Sequence, residues 1–545
     1  MDPAFAVVGD LGEAAEKLGL LLASAATVAA LLAVRPRLRA LAIGSGLVLT
    51  AVVLIGHIWN NPQFRSISGD AVLFLALVAC AIGVVGLLAS QFLRRAHLFP
   101  LFAVAALPFR VPIEAGGSTS NLLVPLYLVI AGAAIAQIVR ELRAADGSAP
   151  AMRLRTLQGA LAVFIGLYAL QSLYSRDFDT ALEQIVFFYI PFALLFKLLT
   201  EVRWTPVLLL RCGLVLLVLA LLFSGIGFWE YERRELLWNP KVIHSNQFES
   251  YFRVNSVFWD PNVFGRFLAI VMVTLCAALL WVTRPRNVLA AALALGVLWG
   301  GLVLTFSQSS IAALLFGFAV VAAIRWDPRR TIVVSVAGAC LGALFLLVFQ
   351  GALNLHLGSS SGLNQATSGR SDLIEGGVNL FVDRPLWGYG SGAFARTFRQ
   401  ERKGNQEQAV SASHTLPITV AAEQGIVGFA AYLFVLAAAF RLLLGRIRLS
   451  GRRTRAPPSS PKSRDGPASA SAAVAAGATH PAVAAALAGG FTALVAHTMM
   501  YAAFLEDPLT WVILATAAAA PPLASWVEEQ RTVPRFAAEP ASATA

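Results

Sequence analysis

What most constrains this chain is a succession of apolar runs. Runs long enough to cross a bilayer lie near 18–34, 40–57, 71–93, 121–139, 156–174, 182–199 and 205–228. More follow near 261–283, 287–305, 309–324, 331–349, 416–440, 482–504 and 509–525. Crossing the ~30 Å hydrocarbon layer takes about 20 apolar residues in a helix, and no open sheet can sit there. The expected fold is therefore all-α, a polytopic integral membrane protein of roughly 12–15 transmembrane helices. A shorter run at 98–112, broken by Pro100 and Pro108, reads as a re-entrant or kinked span.

Composition agrees. Of 545 residues 57% are hydrophobic and 13% charged, about half the charged fraction of a soluble domain. The net charge of +12 would point to nucleic acid in a soluble protein. Here the basic residues fall mostly in short loops between apolar runs, where they set topology and meet anionic lipid. Membrane lipids, not nucleic acid, are the expected partners. Cys80, Cys212, Cys276 and Cys340 lie inside apolar runs without CxxC spacing, and read as small core residues rather than as a disulfide or metal set. The acidic N-terminal stretch lacks the basic n-region and clear cleavage site of a signal peptide.

The loop arginines give an orientation. Arg35, Arg37 and Arg39, then Arg94 and Arg95, then Arg140, Arg143, Arg153 and Arg155 follow or flank spans. So do Arg284 and Arg286; Arg325, Arg329 and Arg330; and Arg446 to Arg455. With these loops cytoplasmic, the alternation is consistent if 98–112 counts as a span. Residues 229–260 and 351–415 then face the extracytoplasmic side, the C-terminus is cytoplasmic and the N-terminus lies outside. Five units are expected: an N-terminal transmembrane bundle (1–250), a catalytic region (251–440), a flexible cytoplasmic linker (441–481), a transmembrane hairpin (482–525) and a disordered tail (526–545).

The 351–415 stretch is the longest polar interval in the first 440 residues and is expected to be a large, partly helical extracytoplasmic loop. It carries Arg370, Arg384, Arg396, Arg399 and Arg402 and ends at His414; the other outer loop adds Arg233, Arg234, Lys241 and Arg253. Arginines outside run against the topology bias, and a guanidinium's planar fork of donors suits phosphate oxygens. The plainer account pairs them with Asp372, Glu375, Asp383, Glu401 and Glu407. Other polar residues have structural readings: His497 as helix packing, Arg211 as snorkelling, and Ser307 to Ser310 as a short outer turn.

Three patterns stand out. In FRVNSVFWDPNVFGRF (252–267), Arg253 precedes Asp260-Pro261-Asn262, which opens a helix; Asp260 or Asn262 is placed to cap it, and the helix N-terminus is a candidate anion site. In SGRSDLIEGGVNLFVDRPLWGYGSGAF (368–394), a helix-like run leads to Gly388, Gly390 and Gly392 beside Trp387 and Tyr389. That turn is either a sugar platform or a pair of membrane-interface anchors. In SHTLPITVAAEQGIVGF (413–429), His414 stands before a span that contains Glu423, Gly425 and Gly428.

In this order the three patterns resemble the O-antigen ligase and O-antigen polymerase superfamily of bacterial membrane glycosyltransferases, over roughly residues 250–440. The ligase motif runs from a histidine followed by Asn, Ser or Gln through nine residues to Gly-x-x-Gly; here it is His414, Thr415, nine residues, Gly425 and Gly428, with Thr415 the departure. The resemblance implies a GT-C-like enzyme of the bacterial inner membrane, in lipopolysaccharide or cell-envelope synthesis. It would move a glycan from undecaprenyl diphosphate to a lipid-linked or saccharide acceptor hydroxyl at the extracytoplasmic face, with inversion and without metal, nucleotide or other cofactor. Arg253 and Arg370 are assigned to the diphosphate and His414 to acceptor activation. Arg266, Arg396 and Arg399 are further phosphate candidates, and Trp387 and Tyr389 sugar-binding candidates. A repeat-unit polymerase would use the same donor chemistry. A lipid-linked glycan transporter or flippase would need two related halves and charges near the bilayer midplane, and few mid-span charges occur. A structural scaffold leaves the outside arginines unexplained.

Overall fold

A computed structural model describes residues 3–58, 70–115, 118–143, 156–238, 242–243, 246, 251–282, 284–326, 328–349, 370–401, 415–454, 480–501 and 503–520. The chain is an all-α, multi-pass membrane protein. Its first helices are α1 (Pro3–Leu32), α2 (Pro36–Ile58), α3 (Ala71–Arg94), α4 (Leu98–Ala106), α5 (Val124–Arg143) and α6 (Thr156–Ser172). Next come α7 (Phe178–Thr200, with a π-helical turn at Ile185–Tyr189), α8 (Pro206–Arg233), α9 (Pro261–Leu279) and α10 (Pro285–Leu304). Then follow α11 (Gln308–Arg325), α12 (Pro328–Phe349), α13 (Arg370–Asp383), α14 (Phe394–Glu401), α15 (Leu416–Thr454), α16 (Pro481–Thr498) and α17 (Pro508–Ala519). Among the described residues, 11 helices are long and apolar enough to cross a membrane. The expected linker begins too early, because residues 441–454 continue α15; residues 455–479 and the whole tail lie outside the described residues.

The helix starts follow local chemistry. Asp70, Thr205, Asp260, Ser307, His480 and Asp507 each accept a backbone N–H of the helix they open, and four of these are followed by proline. This satisfies donors that would otherwise be orphaned at the helix end. Outward faces are apolar: Val72, Leu75, Ile82 and Leu87 of α3 are all exposed, as lipid-facing side chains should be.

The centre of the bundle is α9, α11 and α16, packed on one another through small residues. A Cβ on Gly317 would come within 2.5 Å of Val273, and one on Gly265 within 2.6 Å of Ser310 Oγ. Such close backbone approach is how helices associate where no hydrophobic drive separates them from lipid.

The 98–112 run differs from a kinked span. Helix α4 has nine residues, about 14 Å of rise and less than half the hydrocarbon layer. The chain then turns at Pro108 into a small hairpin, β1 (Val111–Ala115) antiparallel to β2 (Ser118–Leu122), with Val111 opposite Leu122. Proline stops the helix.

Candidate functional site

Polar side chains and loops converge at one end of the bundle. The first component is a break in α15. Gly425 has φ +62° inside an otherwise continuous helix, so the carbonyls before it lose their helical partners. The loop between α13 and α14 supplies replacements. Tyr389 N and Gly390 N donate to Ala422 O and Glu423 O at 3.3 and 2.8 Å, and Ile426 N donates to Pro385 O at 2.7 Å. Gln171 Nε2 donates to Gln424 O at 3.0 Å. The Glu423 carboxylate reaches back and accepts Gly392 N and Phe394 N, both at 3.0 Å. The fit leaves no room for side chains: a Cβ on Gly390 (φ +98°) would lie 2.2 Å from Ser175 Cα, and one on Gly425 2.3 Å from Leu386 O. The glycine run and the Glu-x-Gly run thus form a single backbone clasp.

The second component is a polar strip ahead of α9. Asp260 caps that helix, accepting Asn262 N at 2.6 Å. Its carboxylate therefore occupies the helix N-terminus that an anion would otherwise use. Arg253 is half-buried and held in place: Nε donates to Thr305 O at 3.0 Å and Nη2 to Asn262 Oδ1 at 3.2 Å. Ser307 Oγ donates to the same Asn262 oxygen at 2.9 Å, and Ser309 Oγ lies 3.2 Å from His497 Nε2.

The third component is a cavity of about 180 Å³ lined by Arg110, Phe188, Trp259, Asp260, Val263, Arg266, Tyr501, Ala503 and Glu506, more than tenfold the ~10–15 Å³ that admits one water. Arg266 is fully buried; Nη2 pairs with Asp507 Oδ2 at 2.5 Å and Nη1 donates to Ala503 O at 3.0 Å. Asp507 also caps α17 through Leu509 N at 2.8 Å. Tyr501 Oη donates to Asp260 Oδ2 at 3.0 Å. Two donors are left over: among the described residues, Nε of Arg110 and Nε of Arg266 are buried without an acceptor. Desolvation holds the Arg110 guanidinium below the usual arginine range, Asp507 partly offsetting this and Arg266 adding to it. Desolvation also pushes the Glu506 carboxyl up to about 7, against the pull of Arg266 and Arg110. Thr415 Oγ1 donates to Met499 O at 3.2 Å, which ties the start of α15 to the 499–507 connection that lines the cavity.

Residues 293–433 match the family model described as O-antigen ligase. No curated protein matches the chain. Over that stretch the chain is similar to the O-antigen ligase family. The family is one of ligase- or polymerase-type glycosyltransferases acting on lipid-linked glycan and saccharide substrates. The O-antigen ligase domain contains the clasp, the break in α15, and Thr305 and Ser307 of the strip. Arg110, Arg253, Arg266, Tyr501 and Glu506 come from outside it.

Of the residues expected from sequence, Arg253 lies in the strip and Arg266 in the cavity wall. Arg266 is already ion-paired. Helix α13 starts at Arg370, whose side chain lies outside the described residues, as does all of His414. Arg396 and Arg399 lie on exposed positions of α14 in the O-antigen ligase domain. Trp387 is 57% exposed, whereas Tyr389 is 5% exposed beneath two guanidiniums, Arg176 and Arg384, at 4.5 and 4.7 Å from its ring centroid. That stacking closes the Tyr389 ring to a sugar and makes it a packing residue of the clasp.

Sequence reasoning missed Arg110, Tyr501, Glu506 and Asp507. One signal was present: Asp507-Pro508 repeats the Asp260-Pro261 helix opening. For Arg110 the signal was a charge just past an apolar run that proline had already broken.

Proposed function

We propose that the cavity receives phosphate oxygens of a polyprenyl-diphosphate-linked glycan donor, and that the protein transfers this glycan to an acceptor hydroxyl at the extracytoplasmic face. The observation that carries this reading is the pair of buried guanidinium donors, Arg110 Nε and Arg266 Nε, that line one cavity without acceptors. Buried donors left unmatched are costly, and an incoming phosphate oxygen satisfies them. Arg266 is ion-paired to Asp507, whereas Arg110 makes no such pair among the described residues and feels Asp507 and Glu506 only at longer range. Arg253, fixed by Thr305 and Asn262 in the polar strip, is assigned to the same donor.

In this scheme the acceptor oxygen attacks the anomeric carbon and the bond from that carbon to the diphosphate breaks. The electron pair leaves with the diphosphate, and the arginines stabilise the growing charge. The hydroxyl proton passes to the neutral imidazole of His414, which precedes the cavity-linked Thr415 in sequence. Arg370, where α13 begins, is assigned to the same donor. The His-Thr-x9-Gly-x-x-Gly run favours a ligase-type acceptor.

The test is incubation of purified protein with an undecaprenyl-diphosphate glycan and two acceptors, a lipid A core and a second lipid-linked repeat. Transfer to the core that survives EDTA and is lost in His414→Ala and Arg370→Ala, with folding intact, supports the scheme. Unchanged turnover in both variants sinks it, and transfer only to the second repeat replaces the ligase reading with a polymerase.

A further inference from the structure

A second basic cavity lies at the opposite end of the bundle. It measures about 540 Å³ and is formed where α3 ends, α4 begins, α5 nears its end and α7 runs into the 201–205 turn. Its wall carries Arg94, Arg95, Arg140 and Arg203. Among the described residues the one carboxylate in its lining is Glu201, already ion-paired to Lys197 at 2.9 Å. Arg140 is anchored by donation to Phe92 O. The guanidiniums of Arg94, Arg95 and Arg203 are exposed and make no hydrogen bond or ion pair among the described residues. Phe92, Phe99, Leu198 and Val202 supply the larger apolar side chains of the lining, and His97 and Gln137 are its uncharged polar ones.

Arginines at the basic end of a membrane bundle are ordinary topology markers. Four of them, brought from three places in the chain around one partly apolar cavity with little counter-charge among the described residues, form a more specific arrangement. A guanidinium cluster recognises a phosphate group, and the apolar floor suits the glycerol and upper acyl carbons attached to it. We propose that this cavity is a seat for an anionic phospholipid drawn from the surrounding bilayer. Its phosphate lies among the four arginines and its acyl-proximal carbons against Phe92, Phe99, Leu198 and Val202. Bound there, the lipid ties α3, α4, α5 and α7 together, so binding stabilises the folded chain by mass action. The seat shares no lining residue with the Arg110 cavity, and the proposal does not depend on glycan transfer.

The full chain is purified into nanodiscs of phosphatidylcholine, with or without phosphatidylglycerol, and its thermal unfolding followed by tryptophan fluorescence. Phosphatidylglycerol is expected to raise the midpoint of the native chain by several degrees. Arg94→Gln/Arg95→Gln/Arg203→Gln is expected to lose most of that gain while melting like the native chain in pure phosphatidylcholine. Arg284→Gln/Arg286→Gln/Arg330→Gln removes the same charge elsewhere and should keep the gain. Phosphatidylglycerol retained through delipidation, counted per chain by native mass spectrometry, should fall in the first variant only; this count serves even if that variant melts early. An equal loss in both variants, an undiminished gain in the first, or the same protection from inorganic phosphate in phosphatidylcholine discs would overturn the proposal.

Discussion

At the scale of single residues, Arg110 separates chemistry from fold better than Arg266 does. Arg266 belongs to a buried ion pair, and breaking such a pair typically costs about 3–5 kcal/mol, so its loss mixes both effects. Arg110→Gln should leave the melting profile near that of the native chain and lower transfer by about 10²–10³-fold, the usual cost of one lost transition-state donor. A radiolabelled-donor assay beside a thermal melt checks both halves. Glu506 gives a pH signature. Its carboxyl titrates at about 7 in the fold and at about 4.3 in an unfolded chain. A raised carboxyl favours the native state fully below the unfolded value, and that contribution is lost as pH rises through 7. The unfolding midpoint should therefore fall between pH 5 and pH 8, and Glu506→Gln should flatten the fall. Equal slopes for both chains would show that Glu506 does not titrate there.

At the scale of elements, the clasp on α15 explains why the family motif spaces its glycines as it does. Gly425 supplies the positive φ that interrupts the helix. At Gly428 a Cβ would fall 2.1 Å from Gln424 Cβ, so that position also admits no side chain. Gly425→Ala and Gly390→Ala should each cost roughly 2–4 kcal/mol, from strain at positive φ and from overlap with the opposing backbone. Glu423→Gln should cost about 1–3 kcal/mol, because one oxygen cannot accept both Gly392 N and Phe394 N. Chemical denaturation in detergent measures all three. Here sequence reading went partway. The Gly388–Gly392 turn and the Gly425–Gly428 run stood out as motifs, and Asp260-Pro261 as a helix start. That the first two bond to each other was invisible, because backbone carbonyls freed by a helix break leave no trace in side-chain identity. The same limit applied to Tyr389, whose aromatic character suits a platform until Arg176, over 200 residues earlier in the chain, is seen to cover it.

At the scale of the whole molecule, hydropathy made the bundle legible almost entirely, since every apolar run of the expected length corresponds to a helix. It was weakest at 98–122, where a half-length helix and a hairpin replace a span. It could not show that the 107–123, 251–260, 304–308 and 499–507 segments meet, because contacts between loops depend on how helices pack rather than on how apolar they are. Phe99 lines one cavity and Arg110 the other, so the 98–110 stretch still carries the chain between the two ends despite its short helix, and the arginine distribution then predicts that this end is extracytoplasmic. In a cysteine-free background, Leu237→Cys should react with a membrane-impermeant maleimide in intact spheroplasts. Ala96→Cys, beside the opposite cavity, should react only after permeabilisation. The reverse pattern would invert the orientation and with it the proposed side of reaction.

The clasp also sets an order of events during biosynthesis. The ribosome makes residues 384–394 before residues 422–426, so the loop must leave the translocation machinery while its backbone partners are still unsynthesised. Only when α15 has entered the bilayer can the break at Gly425 close over the loop, and until then the exposed carbonyls of that helix have water or the insertion channel as their partners. A chain truncated after residue 415 and released from the ribosome should therefore carry a protease-sensitive segment at 384–394, and extension past the end of the helix should make it resistant.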